Sequence, residues 1–149
     1  MARANWGVGS MTKSNPISGY LSYALAAAHR NVHLNLSRHL KEMGVQIETW
    51  RILETLNDDQ GYTMGQLAEI VLMNPPALTK LVDRMVSDGL VQRKLSEEDQ
   101  RSIKLILTDV GLDMVGKIRH HVEDEDRIML SRLGPRKAKQ LQQALRVLQ

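Results

Sequence analysis

The stretch Asn74-Pro-Pro-Ala-Leu-Thr-Lys-Leu-Val-Asp-Arg-Met-Val-Ser-Asp-Gly89, followed by Leu90-Val-Gln-Arg-Lys-Leu95, decides the fold. Asn74 can cap a helix, and prolines are tolerated in the first helical turn, so a helix is predicted to begin here. Its apolar residues recur with the spacing of one buried helical face, and Gly89 supplies a C-terminal stop. After Gly89 apolar and polar residues alternate, which predicts a β-strand. The apolar residues of the helix are Leu78, Leu81, Val82 and Met85.

The residues on either side complete a winged helix-turn-helix. Thr63 is available as the cap of a shorter amphipathic helix, and residues 72–74 then form a tight turn. Two short amphipathic helices joined by such a turn make a helix-turn-helix. Residues 102–108 repeat the strand pattern, so a hairpin wing is predicted around a polar loop at residues 96–101. The apolar face of the shorter helix carries Met64, Leu67, Ala68 and Val71.

Longer helices are predicted on both sides of this lobe. One begins at Asn15-Pro16 and ends near Gly44, a second spans residues 46–56, and helical periodicity resumes at Asp109. A last helix opens at Gly134-Pro135. Two of these helices carry long apolar stripes, formed by Leu21, Leu25, Ala28, Val32, Leu36 and Leu40 and by Ala138, Leu141, Leu145 and Leu148.

The sequence therefore predicts a mainly α (α+β) fold with one domain at residues 15–149. Residues 46–108 would form the winged-helix lobe, and residues 15–44 and 109–149 the dimerisation helices. Long terminal stripes cannot easily be buried within one chain, and a homodimer would cover them. The alternative is that the stripes pack only on their own lobe. Residues 1–14 show no apolar periodicity and are predicted to form a flexible tail, in which Met11 is an alternative start.

The exposed face of the helix at residues 74–88 suits the major groove of DNA. Thr79 can meet a base edge or phosphate, Ala77 a thymine methyl, and Lys80 or Arg84 a guanine or phosphate. The alternative interpretation is a solvated helix face. The predicted DNA contacts of this helix are Pro76, Ala77, Thr79, Lys80 and Arg84.

The wing adds the predicted contacts Arg93, Asp99 and Arg101. We expect the carboxylate of Asp99 to brace the guanidinium of Arg101, which would enter the minor groove, where the negative potential attracts arginine. The alternative is an ordinary surface ion pair, which stabilises little. Helix pair and wing together predict binding to double-stranded DNA. A winged helix that contacts only proteins is the alternative function.

Composition narrows the function classes. The net charge of +3 and the pI of about 9.3 are compatible with a polyanion partner without arguing for one. The absence of cysteine excludes disulfides and thiol-based sensing. With two Trp, three Tyr and no Phe, stacking on single strands is unfavoured. No catalytic motif or phosphate loop is present, so neither an enzyme nor a cofactor is expected. The longest apolar run and the N-terminus resemble neither a membrane span nor a signal peptide, which predicts a cytoplasmic protein without a membrane partner.

Three segments resemble the MarR family of bacterial regulators: the helix pair from Tyr62 to Val91, the wing motif Asp99-Gln-Arg-Ser, and Leu107-Thr-Asp-Val-Gly111. The resemblance implies a triangular homodimer on a pseudo-palindromic operator. It also implies that small phenolic or aromatic acids release the DNA, as for a repressor. Gln46, where the family often has a Ser or Thr cap, and Gln100, in place of a frequent arginine, depart from the pattern without putting the fold in doubt.

The same resemblance implies an effector pocket between the dimerisation helices and the DNA-binding lobe. An arginine or histidine there could hold a carboxylate while Trp50 stacks on an aromatic ring. The alternative for Trp50 is plain core packing. The candidate effector residues are His29, Arg30, His33, Trp50 and Arg51.

Histidines raise one further alternative, a metal-responsive regulator. His29 and His33, four positions apart, provide half of a metal site. No carboxylate stands at a matching spacing, so no metal site is predicted. Further candidate ligands are His39, His120 and His121.

Overall fold

A computed structural model describes residues 15–149 of the chain. These residues form six α-helices and a two-stranded antiparallel sheet. The mainly α winged-helix class predicted from the sequence is confirmed. The elements are α1 (Leu21–Glu42), α2 (Ile47–Thr55), α3 (Met64–Val71), α4 (Pro75–Ser87), β1 (Val91–Leu95), β2 (Ile103–Leu107), α5 (Asp109–Leu133) and α6 (Pro135–Arg146), with a short 3-10 helix (Leu56–Asp58) after α2.

The predicted start of α1 at Asn15 is wrong. The Asn15 side chain accepts a hydrogen bond from the backbone N–H of Ile17 (3.1 Å). The backbone carbonyl of Asn15 accepts from the N–H and the hydroxyl of Ser18 (3.2 and 2.9 Å). Asparagine and serine thus close a local turn instead of opening a helix. The helix begins only after Tyr20, whose backbone is extended. The predicted tail at residues 1–14 lies outside the described residues.

The two predicted helix caps of the helix-turn-helix are confirmed. Thr63 accepts from the N–H of Gln66 while the Gln66 side chain accepts from the N–H of Thr63, a reciprocal capping box. Asn74 accepts from the N–H of Ala77 at 3.0 Å. Between the helices Leu72 adopts a left-handed backbone conformation (φ 58°), which reverses the chain within a few residues.

The wing is a hairpin, and one residue outside it pairs with β2 through backbone hydrogen bonds. Its strands pair from Val91↔Leu107 to Leu95↔Ile103. Leu105 of β2 also exchanges two backbone hydrogen bonds with Tyr62, just before α3 (3.2 and 2.7 Å). This bridge, which the sequence pattern did not predict, ties the wing to the start of the helix-turn-helix.

Thr108 and Gly111 join the wing to α5. The Thr108 hydroxyl donates to the carbonyl of Gly89 (2.5 Å) and accepts from the N–H of Gly111 (3.1 Å). A Cβ atom at Gly111 would lie 2.2 Å from the backbone oxygen of Leu90. Only glycine allows the first turn of α5 to approach Leu90, between α4 and β1, this closely.

The core lies beneath the winged helix and reaches both neighbouring helices. Leu40 at the end of α1 and Ile118 in α5 are fully buried against side chains from α2 to β2. By contrast, half of the residues in the predicted apolar stripes of α1 and α6 are exposed in the single chain. Leu21 is 66% exposed and Leu141 is 43% exposed. None of the helices at residues 15–149 is long and apolar enough to cross a membrane.

Candidate DNA interface

The predicted contact residues of α4 share one exposed face. The opposite face of the helix is buried in the core, so the position of the exposed face is set by packing and not by the polar residues themselves. The exposed residues are Pro76, Ala77, Thr79, Lys80 and Arg84, as predicted.

Thr79 is held in a defined orientation on this face. Its hydroxyl donates to the carbonyl of Pro75 at 2.9 Å. The proton is therefore directed back along the helix, and the lone pairs of the oxygen are available to accept. In this state the side chain offers an acceptor and a methyl group to a base edge.

Arg93 occupies an exposed position on β1, but its guanidinium is not free. It lies 2.5 Å from a carboxylate oxygen of Asp83 on α4. The sequence pattern did not predict this pair. The two residues come together only when the hairpin folds back against the helix.

The wing loop is built by backbone hydrogen bonds to Ser96 and Asp99. The buried Ser96 hydroxyl accepts from the N–H groups of Glu98 and Asp99 (3.3 and 3.4 Å). The Asp99 carboxylate accepts from the backbone N–H of Arg101 (2.9 Å). The predicted brace between Asp99 and the Arg101 guanidinium is therefore wrong, because the short loop brings the carboxylate to the backbone instead. Asp99 shapes the loop, and Ser96 was missed by sequence reasoning.

Three cations of this surface form no ion pair within residues 15–149. Other basic side chains of the wing face carboxylates, with Lys94 3.3 Å from Glu97 and Lys104 3.8 Å from Glu98. The surface therefore has few uncompensated charges, all of them at positions predicted to contact DNA. They are Lys80, Arg84 and Arg101.

The predicted effector residues do not converge on one site. A cavity of about 650 Å³ lies between α1, α2 and α5, and of the five candidates only Trp50 lines it. Arg30 lines a separate open groove of about 460 Å³ on α1. The structure brings His29, His33 and Arg51 to neither space. Sequence periodicity does not state which side of α1 faces α5, so the residues that line the cavity could not be predicted.

Other residues complete the walls of this cavity. Trp50 is half-buried, and its indole N–H is buried without a hydrogen-bond partner. His39 Nδ1 lies 3.1 Å from the Glu125 carboxylate across the cavity. Apolar, cationic and acidic side chains surround them, including Val32, Leu36, Met129, Arg38, Arg132, Glu123 and Asp126.

The histidines do not assemble a metal site in the part of the chain that the structure describes. No group of three or more potential ligands from His, Asp and Glu comes together there. The rings of His29 and His33 lie 5.5 Å apart without a third ligand, and His120 lies 3.5 Å from Asp124 on its own helix. The alternative of a metal-responsive regulator is thus without structural support at residues 15–149.

An ion pair also connects α5 with α2. Arg119 lies 2.7 Å from Glu54 on α2, and this hydrogen bond, followed by the charge of Glu54, raises the pKa of Arg119. Near the base of the wing, a hydrogen bond to Asp58 raises the pKa of the Tyr62 phenol. Both shifts move the pKa further from neutrality, so both groups keep their ordinary charge at neutral pH.

A helix-turn-helix followed by a hairpin wing defines the chain as a winged-helix protein. A model of the MarR family matches residues 45–103. A MarR family transcriptional regulator from Silicibacter pomeroyi DSS-3 has a similar structure, with a TM-score of 0.78 and 28% identity over 91% of this chain and 100% of that chain. The resemblance seen in the sequence is confirmed at residues 45–103, which match the MarR family model, and this family consists of transcriptional regulators and not of enzymes.

Curated relatives give the same assignment over part of their length. The transcriptional repressor IacR of Pseudomonas putida is 31% identical over 97 residues, which cover 65% of this chain and 58% of IacR. The homoprotocatechuate degradative operon repressor of Escherichia coli is 28% identical over 68% of this chain and 69% of its own. The MepR–DNA complex of Staphylococcus aureus shares the fold, with a TM-score of 0.76, 18% identity and coverage of 87% of this chain and 96% of MepR.

Proposed function

We propose that this protein is a dimeric, sequence-specific DNA-binding regulator of transcription. The observation that carries the proposal is the joint exposure of α4 and the wing, with Lys80, Arg84 and Arg101 uncompensated by carboxylates within residues 15–149. In this proposal α4 enters the major groove, where Ala77 and Thr79 contact base edges. Arg101 at the tip of the wing enters the minor groove.

The proposed dimer would cover the apolar surface of the terminal helices. Exposed apolar side chains occur along α1, within α6 and just after it, among them Val32, Leu34, Leu141 and Leu148. A monomer would leave this surface in water, whereas a symmetric pair buries it on both copies at once. Two copies related by a twofold axis would also bind two half-sites on one duplex.

Identification of the operator tests this proposal. Selection of bound sequences from a random duplex pool should return two inverted half-sites about 10 base pairs apart, one helical turn. The Thr79→Ala variant removes an acceptor and a methyl group near the base edges, so we expect it to change the preferred base within each half-site at similar overall affinity.

If the selection enriches no sequence, or if binding is insensitive to salt, DNA recognition is contradicted and a winged helix that contacts proteins is favoured. The salt criterion applies because phosphate contacts weaken steeply as the salt concentration rises. Lys139→Ala on the exposed side of α6 is the control variant and should return the wild-type operator.

We further propose that a small aromatic acid or phenol acts as the effector and releases the DNA, as for a repressor. The cavity between α1, α2 and α5 supports this proposal. Trp50 provides an aromatic wall, and Arg38 and Arg132 provide the cations that sequence reasoning sought in Arg30 and Arg51. The relative from Escherichia coli is named as the repressor of a homoprotocatechuate degradative operon.

Tryptophan fluorescence tests the effector proposal directly. In a Trp6→Phe variant Trp50 is the single tryptophan of the chain. Titration with a panel of aromatic acids should change its emission and weaken operator binding over the same concentration range, because stacking and release would report one event. Matched neutral amides of the same acids serve as controls. If no compound changed either signal, the cavity would not be an effector site of this class.

A further inference from the structure

The ion pair between Arg93 and Asp83 connects the two elements that face DNA. The guanidinium on β1 lies 2.5 Å from the carboxylate on α4, ten positions earlier in the chain. The two side chains are 39% and 58% exposed. A pair this exposed stabilises the fold by little, so its structural consequence lies elsewhere.

Asp83 is the acidic residue of α4 and lies on the face proposed to contact DNA. It follows Thr79 by one helical turn and Lys80 by three positions, so its side chain lies beside theirs. An uncompensated carboxylate at this place would repel the phosphates of a bound duplex. Arg93 cancels that charge without requiring a contact with DNA.

The pair also connects α4 directly to the wing. The loop beyond β1 carries Arg101, so the position of β1 relative to α4 sets the separation between the minor-groove and major-groove contacts. Backbone contacts hold the base of the hairpin through Val91 and Leu107. The pair with Asp83 adds a restraint two residues further along β1.

We propose that Arg93 is a positioning residue for DNA recognition, acting through Asp83, and not itself a DNA contact. The inference rests on the proposed DNA-binding function and revises the role that sequence reasoning assigned to Arg93. It predicts that the importance of Arg93 depends on the charge of Asp83.

A double-mutant cycle on the selected operator tests the proposal. Arg93→Gln in the wild-type chain exposes the Asp83 charge and should weaken operator binding about tenfold, within the range of coupled neighbours. In an Asp83→Asn chain the Arg93→Gln change should weaken operator binding by less than about twofold, since no carboxylate charge is left to compensate. The dependence of affinity on salt should be the same for Asp83→Asn and for the double variant.

A direct phosphate contact gives different results. Arg93→Gln would then weaken binding equally in both backgrounds and lower the slope of log affinity against log salt by about 0.9 per lost contact in each. Either result would overturn the proposal. Thermal unfolding of all variants should stay close to wild type, because an exposed pair contributes little.

The pair between Arg127 and Asp124 on α5 is the matched control, with a distance of 2.7 Å and exposed partners. A double-mutant cycle on this control pair should leave operator affinity unchanged. If the wild-type chain selects no sequence at all, the proposed function fails and this inference fails with it. If the wild type selects an operator and the Arg93–Asp83 cycle is additive, only the inference fails.

Discussion

Gly111→Ala is expected to destabilise the fold by about 3 kcal/mol, the upper end of the cost of overpacking. The new methyl group would lie 2.2 Å from the carbonyl oxygen of Leu90 and 3.2 Å from a methyl of Leu107. The Leu90 oxygen already accepts a hydrogen bond from the N–H of Thr108, so it cannot move away without breaking that bond. Thermal unfolding at a fixed protein concentration measures the effect, and a chain of this size should melt several degrees lower, about 3 °C per kcal/mol.

Gly116→Ala is the matched control for this prediction. Gly116 lies in the same helix and is exposed, and a methyl group added to it would meet no neighbouring element within 4 Å. Alanine there should raise stability by about 0.5–1 kcal/mol, the ordinary preference of a helix interior for alanine over glycine. Equal melting temperatures for the two variants would show that the approach of α5 to Leu90 does not require glycine.

Arg101→Ala is expected to weaken binding to nearly all DNA sequences, by about tenfold or more in a dimer that loses two arginines. The Arg101 side chain is exposed on a short wing loop, and its guanidinium forms no ion pair within residues 15–149. Its charge is therefore fully available to the minor groove, where the negative potential is strongest in narrow A·T tracts. The slope of log affinity against log salt should fall by about 2, one contact from each copy.

Arg136→Ala removes the same charge from the exposed start of α6 and serves as the control. It should leave affinity and salt dependence near wild type, because a distant exposed charge is screened. Comparable losses for the two variants would mean that net charge, and not the wing, governs binding. A change of preferred sequence with Arg101→Ala at unchanged affinity would also contradict the assignment.

The elements of the winged helix could be predicted because their signals are local. Thr63 and Asn74 cap the helices whose first N–H groups lie within three residues of them, so the spacing alone identifies both caps. The buried face of α4 follows from the helical period in the same way. The start of α1 was mispredicted since two local patterns competed, a helix cap and a turn closed by Ser18.

The exposed DNA-facing residues were also predictable, but their partners were not. Subtracting the buried face of α4 leaves Thr79, Lys80 and Arg84 on the surface without any knowledge of the rest of the fold. Whether a surface arginine is free or paired depends on elements distant in sequence. For that reason Arg93 and Arg101 were both predicted to contact DNA and Arg101 was expected to face Asp99, while in the structure it is Arg93 whose guanidinium faces a carboxylate, that of Asp83.

The sequence by itself determined the order of helices and strands, the caps of α3 and α4, and the face of α4 that meets solvent, because each depends on interactions within a few residues. The tertiary structure decided the pair of Asp83 with Arg93, the contact of Gly111 with Leu90, and the walls of the cavity beside Trp50. These depend on how separate elements pack against one another. Periodicity states which face of a helix is buried, but not which side chain lies opposite it.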